Sequence, residues 1–159
     1  MTLDADSFRS VMGRFASGVT VVTTRDSDER DIGMTVSAFC SVSLHPPLVQ
    51  ISVGHDASAF DAIAACQAFV VNVLAADQES LSRRFAELES ARRFDGLGFT
   101  RGELGMVLLD DAAAHLECTV VDTHVAGDHT IVIGEVKHAT AGDARPLLYY
   151  RGGYAQLER

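Results

Sequence analysis

Between Gly33 and Val49 the chain alternates small hydroxyl residues with apolar ones and then runs into Pro46-Pro47. Thr35, Ser37, Ser41 and Ser43 fall at odd positions, and Val36, Ala38, Val42 and Leu44 at even ones. Successive side chains of a strand face opposite ways, so the even side would pack and the odd side would be a row of hydroxyls. Such a row suits solvent, or a polar planar ligand with a phosphate tail. Alternation alone favours solvent.

The flanking patterns predict the other elements. Phe8, Val11, Met12 and Phe15 recur at helical spacing, which predicts a helix over 4–17 with Asp4 or Asp6 as its cap and Gly18 as its stop. Val19 to Thr24 is β-branched almost throughout and reads as a strand. Arg25 to Arg30 is a charged turn, followed by the alternating stretch as one strand or a bent pair, and then by a strand over Leu48 to Val53. Ser58 opens a short helix with Phe60, Ile63 and Ala64 on its apolar face, and Ser58 and Asp61 have the spacing of a capping box. Ala68 to Leu74 is a nearly continuous apolar strand, hence central. Gln78 to Leu88 is helical through Leu81, Phe85 and Leu88. Ser90 to Leu104, with Gly96, Gly98 and Gly102, reads as a loop. Two long strands, Ala114 to Val125 and His129 to Thr140, are joined by the hairpin signal Ala126-Gly127-Asp128. Leu147 to Tyr150 and Gly152-Gly153-Tyr154 close the chain as a short strand and a turn. Strands outnumber helices and the connections are short, so antiparallel pairing is expected, and closure into a barrel would remove the edges.

Length and charge narrow the classes. The 159 residues are most simply one domain, 1–159, and 47% hydrophobic with 22% charged residues describes a folded, soluble chain. No apolar run is long enough to span a bilayer and the start lacks a leader pattern, so no membrane association and a cytoplasmic location are expected. Three scattered cysteines, Cys40, Cys66 and Cys118, argue against a disulfide framework or a zinc site. A net charge of −9 without any Lys/Arg run argues against nucleic acid. An anionic ligand would have to be met by a local arginine, with candidates at Arg83-Arg84, Arg92-Arg93 and Arg145 to Arg151.

The stock catalytic motifs are absent. Gly96-Leu97-Gly98-Phe99-Thr100-Arg101 ends on arginine where a dinucleotide fingerprint needs glycine, and it follows no strand. The six histidines lack metal-ligand spacing, so no metal is expected. Ser58 at a helix start is a plain cap or, with the free amides behind it, a phosphate site. The Gly127-Asp128-His129 turn is a solvated hairpin end, or a place where a histidine leans over a ring. Tyr154 could stack on a ligand or be an ordinary surface aromatic, and Arg92-Arg93-Phe94 is a solvated helix end or a phosphate clamp with Phe94 over a ring.

These pieces occur in a fixed order. Phe15 to Thr24, Gly33 to Val49, Gly127-Asp128-His129 with Ile133 to Val136, and Leu147 to Tyr154 together resemble the flavin reductase-like family. Its members are the small NAD(P)H:flavin oxidoreductases that feed two-component flavin-dependent monooxygenases, and the resemblance runs from Phe8 to Tyr154. It implies a mainly β fold with short helices, an antiparallel, Greek-key-like FMN-binding split β-barrel, usually a homodimer. By that resemblance Met34, Thr35, Val36, Ser37 and Ala38 line the isoalloxazine, Ser41 and Ser43 approach the ribityl chain, and Ser58 takes the phosphate. Arg93 and Phe94 lie near phosphate and ring. Asp128 and His129 belong to the nicotinamide-associated turn, with His129 the catalytic candidate and Tyr154 in the same cleft. No basic residue closely follows Ser58, so the arginine for its phosphate must come from elsewhere. The implied activity is reduction of free FMN or FAD by NADH, or NADPH, with hydride passing to flavin N5 and the reduced flavin supplied to a monooxygenase. The alternatives are a flavin carrier without turnover and a reductase with tightly bound FMN serving another acceptor.

Overall fold

Twelve strands and three α-helices make up residues 2–158, which are those described by the structure, a computed structural model. In chain order they are α1 (Ala5–Met12), β1 (Ser17–Gly18), β2 (Thr20–Arg25), β3 (Asp31–Val36), β4 (Phe39–Ser43), β5 (Leu48–Gly54), α2 (Ser58–Cys66), β6 (Ala68–Val73), α3 (Glu79–Glu87), β7 (Phe99–Arg101), β8 (Val107–Leu109), β9 (Ala114–Ala126), β10 (His129–Ala141), β11 (Leu148–Tyr150) and β12 (Gly153–Ala155). A single 3₁₀ turn, Ser90–Arg92, follows α3.

Seven strands form one antiparallel sheet in the order β3-β2-β6-β9-β10-β5-β4. β6 is interior, as its apolar run predicts: Phe69, Val70 and Val71 are fully buried. β9 and β10 pair over their whole length and turn at Gly127-Asp128, where Gly127 takes the positive φ of 65° that the tight turn needs. The two margins of the sheet, β3 and β4, are neighbours in sequence, linked by Ser37 and Ala38 alone. Laid flat, those margins would be about 29 Å apart, whereas two residues and their flanking bonds reach only about 10 Å. The sheet must therefore curl until its margins meet at that corner. No ladder joins β3 to β4, so the sheet is curled but not closed into a barrel. Smaller sheets, β1-β11-β12 and β7-β8, flank it.

Two buried clusters result. One lies between the sheet and α2, around Val36, Ile51, Ile63 and Phe69; the other lies under α3, around Val21, Leu74, Phe85 and Leu109. Several sequence expectations need correction. The first helix ends at Gly13, not Gly18, because Ser17 and Gly18 are drawn out to pair with Tyr149 and Leu148. Its apolar stripe finds no cover: Phe8, Val11, Met12 and Phe15 are all exposed. The expected 90–104 loop contains β7, which pairs only with β8. In α2 the buried face is Ala59, Ala62 and Ile63, with Phe60 half-buried and Ala64 exposed.

Candidate functional site

The two halves of the alternating stretch have different surroundings. On β3, Gly33 faces the α3 side so closely that an added Cβ would sit 2.6 Å from the Phe85 ring and 2.9 Å from that of Phe94. Only glycine permits this approach. Thr35, two residues on, donates its hydroxyl to the Ser82 carbonyl of α3 at 2.6 Å. Ser82 in turn shares a 2.8 Å hydrogen bond with the Tyr154 hydroxyl. Thr35, Ser37, Ser82, Tyr149 and Tyr154 thus line one cleft of about 220 Å³. Met34 and Val36 point the other way and pack on the α2 cluster. β3 is a sheet margin, and a margin has backbone groups with no ladder on its outer side.

One of those groups has a specific partner. Arg93 donates from Nη1 to the Gly33 carbonyl at 2.7 Å and from Nε to the Leu88 carbonyl at 2.8 Å. The same Nη1 lies 3.4 Å from the Ser58 hydroxyl. The arginine that Ser58 lacks nearby in sequence therefore arrives from the turn after α3. Burial draws the Arg93 pKa down from its ordinary value, and among the described residues no carboxylate lies within salt-bridge reach of it. Ser58 is the first helical residue of α2 rather than its cap. Ala57 occupies the cap position and supplies no side-chain hydrogen bond, which corrects the expected Ser58–Asp61 capping box. The Phe60 amide turns back to the Ala57 carbonyl at 3.0 Å, and the Ser58 and Ala59 amides keep their donor capacity beside a half-buried cation.

The hairpin turn lies next to the approach to α2. His129 pairs with Gly54 at the end of β5, and the His55 amide donates to the Asp128 carbonyl at 3.0 Å. His129 Nδ1 donates to the Asp128 carboxylate at 2.7 Å, and that bond holds the Asp128 carboxyl below its usual 3.8. The partnership fixes the ring and leaves Nε2 free to meet a ligand. His55 itself is bound at 3.0 Å to the Thr130 hydroxyl and leans on Phe60.

The predicted residues accordingly do not all meet at one place. Arg93, Ser58 and the Gly33 carbonyl meet directly. Ala38 is tied to this rim through its carbonyl, which accepts from the Ser52 amide two residues before Gly54, so that carbonyl is already engaged. Ser41 and Ser43 pair with Val49 and Leu48, at the end of β5 remote from Gly54, and are not brought to Ser58. Phe94 presents its ring to Phe85 and Phe99, with centroids 5.1 and 6.3 Å away, as part of the α3 cluster. Tyr154 joins the Thr35 cleft; none of its hydrogen bonds or ring contacts among the described residues reaches the His129 turn. Ser82 was not foreseen, although its spacing three residues before Phe85 puts it on the inner face of α3.

Residues 12–158 match the family described as flavin reductase like domain. The chain is 43% identical over 152 residues to the NADH-dependent flavin reductase of Rhodococcus sp, covering 94% of this chain and 85% of that protein. It is 38% identical over 159 residues to the flavin-dependent monooxygenase reductase subunit HsaB of Mycobacterium tuberculosis, covering 98% and 84%. Among solved structures it is similar to the NADH:FAD oxidoreductase SgcE6 of Streptomyces globisporus C-1027 in complex with NAD and FAD fragments. There the TM-score is 0.91 and the identity 40%, over 99% of this chain and 97% of that one. From its sequence and its fold, then, the chain belongs to the flavin reductase-like family.

Proposed function

We propose that this protein is an NADH-dependent flavin reductase that supplies reduced FMN or FAD to a partner monooxygenase. The observation that carries the reading is Arg93: a half-buried guanidinium with no carboxylate in salt-bridge reach among the described residues, set against Ser58 at the uncapped start of α2. A half-buried cation with no counter-charge calls for an anion, and a helix start beside it suits a phosphate. The margin backbone of Met34 to Ala38, next to this clamp, would present the groups not already engaged within the protein, the Ala38 amide among them, to the heteroatoms of a planar ring. The names of the relatives support the substrates: NADH and a flavin for the Rhodococcus protein, and a monooxygenase reductase subunit for the mycobacterial one.

The residues present fit a flavin mononucleotide moiety at this clamp. Bound flavin supplies the electron sink for hydride arriving from nicotinamide, so no acid–base dyad is required of the protein. The chain's part is placement. Arg93 and the α2 amides hold the phosphate, which fixes the rest of the ligand along β3. His129, fixed by Asp128, projects Nε2 from the turn and orients the nicotinamide amide or phosphate over the ring. Ser37, on the Thr35 cleft wall, borders the same margin.

Fold and assembly accord with this activity. The curled sheet is the split barrel of the family in a single domain, 1–159. The exposed stripe of α1 is a subunit contact, so the working form is a homodimer. Free Cys40, Cys66 and Cys118 suit a reducing compartment such as the cytoplasm. Purified protein should oxidise NADH in the presence of FMN or FAD, and a two-by-two matrix of NADH and NADPH against the flavins ranks them. Stoichiometric flavin binding without NADH oxidation would instead mark a carrier.

A further inference from the structure

We propose that the cleft beside the Arg93 clamp receives an adenosine group whose ribose carries a free 2′-hydroxyl. This rests on the flavin and NADH reading above and extends it to the half of the dinucleotide that the sequence leaves unread. The cleft measures about 540 Å³, within the range of small-molecule sites. Its apolar lining is Ile32, Ala91 and Phe94. Ile32 precedes Gly33, whose carbonyl accepts from Arg93, and Phe94 follows Arg93. The cleft thus adjoins the phosphate clamp through Ile32 and Phe94.

Two polar features select the occupant. The Ser90 hydroxyl, on the cleft wall, is buried and has no hydrogen-bond partner. An orphaned buried hydroxyl is costly. A ribose hydroxyl or a purine nitrogen would satisfy it. The second feature is charge. The cleft is lined by Asp26, Glu29 and Asp31 against one cation, Arg30. Arg30 is bound to Asp26 and Asp28, and Asp31 is held by Arg101. Glu29 has no ion pair among the described residues, and it sits at a left-handed turn with φ 60°, which fixes its backbone at the rim. A free carboxylate accepts a hydrogen bond from a ribose 2′-hydroxyl and repels a 2′-phosphate. The adenosine can belong to FAD or to NADH; the chemistry recognised is the same.

Ligand titrations of the full chain distinguish the sources. Free 5′-AMP should compete with FAD or with NADH, whereas AMP bearing an added 2′-phosphate should not. Ala91→Trp should raise Kd for AMP about 10-fold or more, equivalent to about 1.4 kcal/mol, with FMN affinity changing less than about 2-fold. A parallel rise in FAD Kd assigns the cleft to FAD. A parallel rise in NADH KM, with FMN as acceptor, assigns it to NADH. Glu29→Arg, at a solvated turn, should reverse the preference between the two nucleotides. The proposal is overturned if AMP competes with neither dinucleotide, or if Ala91→Trp folds natively and leaves FAD, NADH and AMP unmoved. Failure of the wild-type protein to oxidise NADH with either flavin would instead overturn the reductase reading, and AMP binding by calorimetry would still decide the cleft.

Discussion

β3 and β4 carry the same alternation of small hydroxyls and aliphatics, six positions apart, and the fold uses them in opposite ways. On β3, Val36 is 4% exposed, Thr35 is bonded to α3 and the Gly33 carbonyl is bonded to Arg93. On β4, Val42 is 49% exposed, and Leu44 just beyond it is 76% exposed, while Ser41 lies open. The difference comes from neighbours rather than from pattern: α3 and the Arg93 turn pack over β3, whereas β4, apart from Phe39 on the core, has β5 as its ladder partner among the described residues. An identical period can therefore encode a covered, side-chain-bonded margin or an uncovered one, depending on what a distant segment brings to it.

The contrast can be broken experimentally. Removing the clamp is the largest expected perturbation. Arg93→Ala should weaken flavin binding by about 10- to 100-fold, the 1.5–3 kcal/mol expected of a hydrogen bond to a charged group, as read by fluorescence titration. If affinity holds, the phosphate does not sit at Ser58. Next comes Gly33→Ala, whose Cβ would press into Phe85 and Phe94; a loss of about 1–3 kcal/mol in denaturant unfolding is expected. The matching change on the other margin, Ser41→Ala, should stay within about 0.5 kcal/mol, and equal effects would erase the distinction. Thr35→Val, which removes the donor to Ser82, should cost about 1 kcal/mol.

The turn offers the subtlest test. His129→Ala should raise KM for NADH with little change in flavin affinity, and an equal loss of both would deny the residues separate roles. Asp128 adds a pH signature. Its carboxyl is held below 3.8 by His129, so the pairing is complete above about pH 4 and is lost as pH falls through the lowered folded-state value. NADH KM should be insensitive to this group above about pH 4 and climb only in stronger acid; Asp128→Asn should remove that limb.

What the sequence discloses and what it conceals follow the same line. β2, β6 and the β9–β10 hairpin are legible because β-branched runs and a Gly-Asp turn carry local information. Pairing across the chain is not local. Gly18 reads as a helix stop until Tyr149 and Leu148 arrive to pair with it and Ser17. β7 and β8 hide among glycines because each has only the other as a partner. Ser58 and Arg93 are 35 residues apart in sequence, yet their side chains meet. The candidate residues were visible as types, whereas their grouping, with Tyr154 beside Thr35 and Ser41 not brought to Ser58, required the fold.

The two-residue link at Ser37-Ala38 also bears on how the chain acquires its activity. Because it ties together the first and last strands in sheet order, the corner it forms is complete only when the five strands between them have paired. Such distant closures are late and slow events in folding. If flavin binds along this margin as proposed, its occupancy is coupled to the whole sheet: saturating flavin should slow global unfolding and raise Tm in a single cooperative transition, with stabilisation growing logarithmically with ligand concentration.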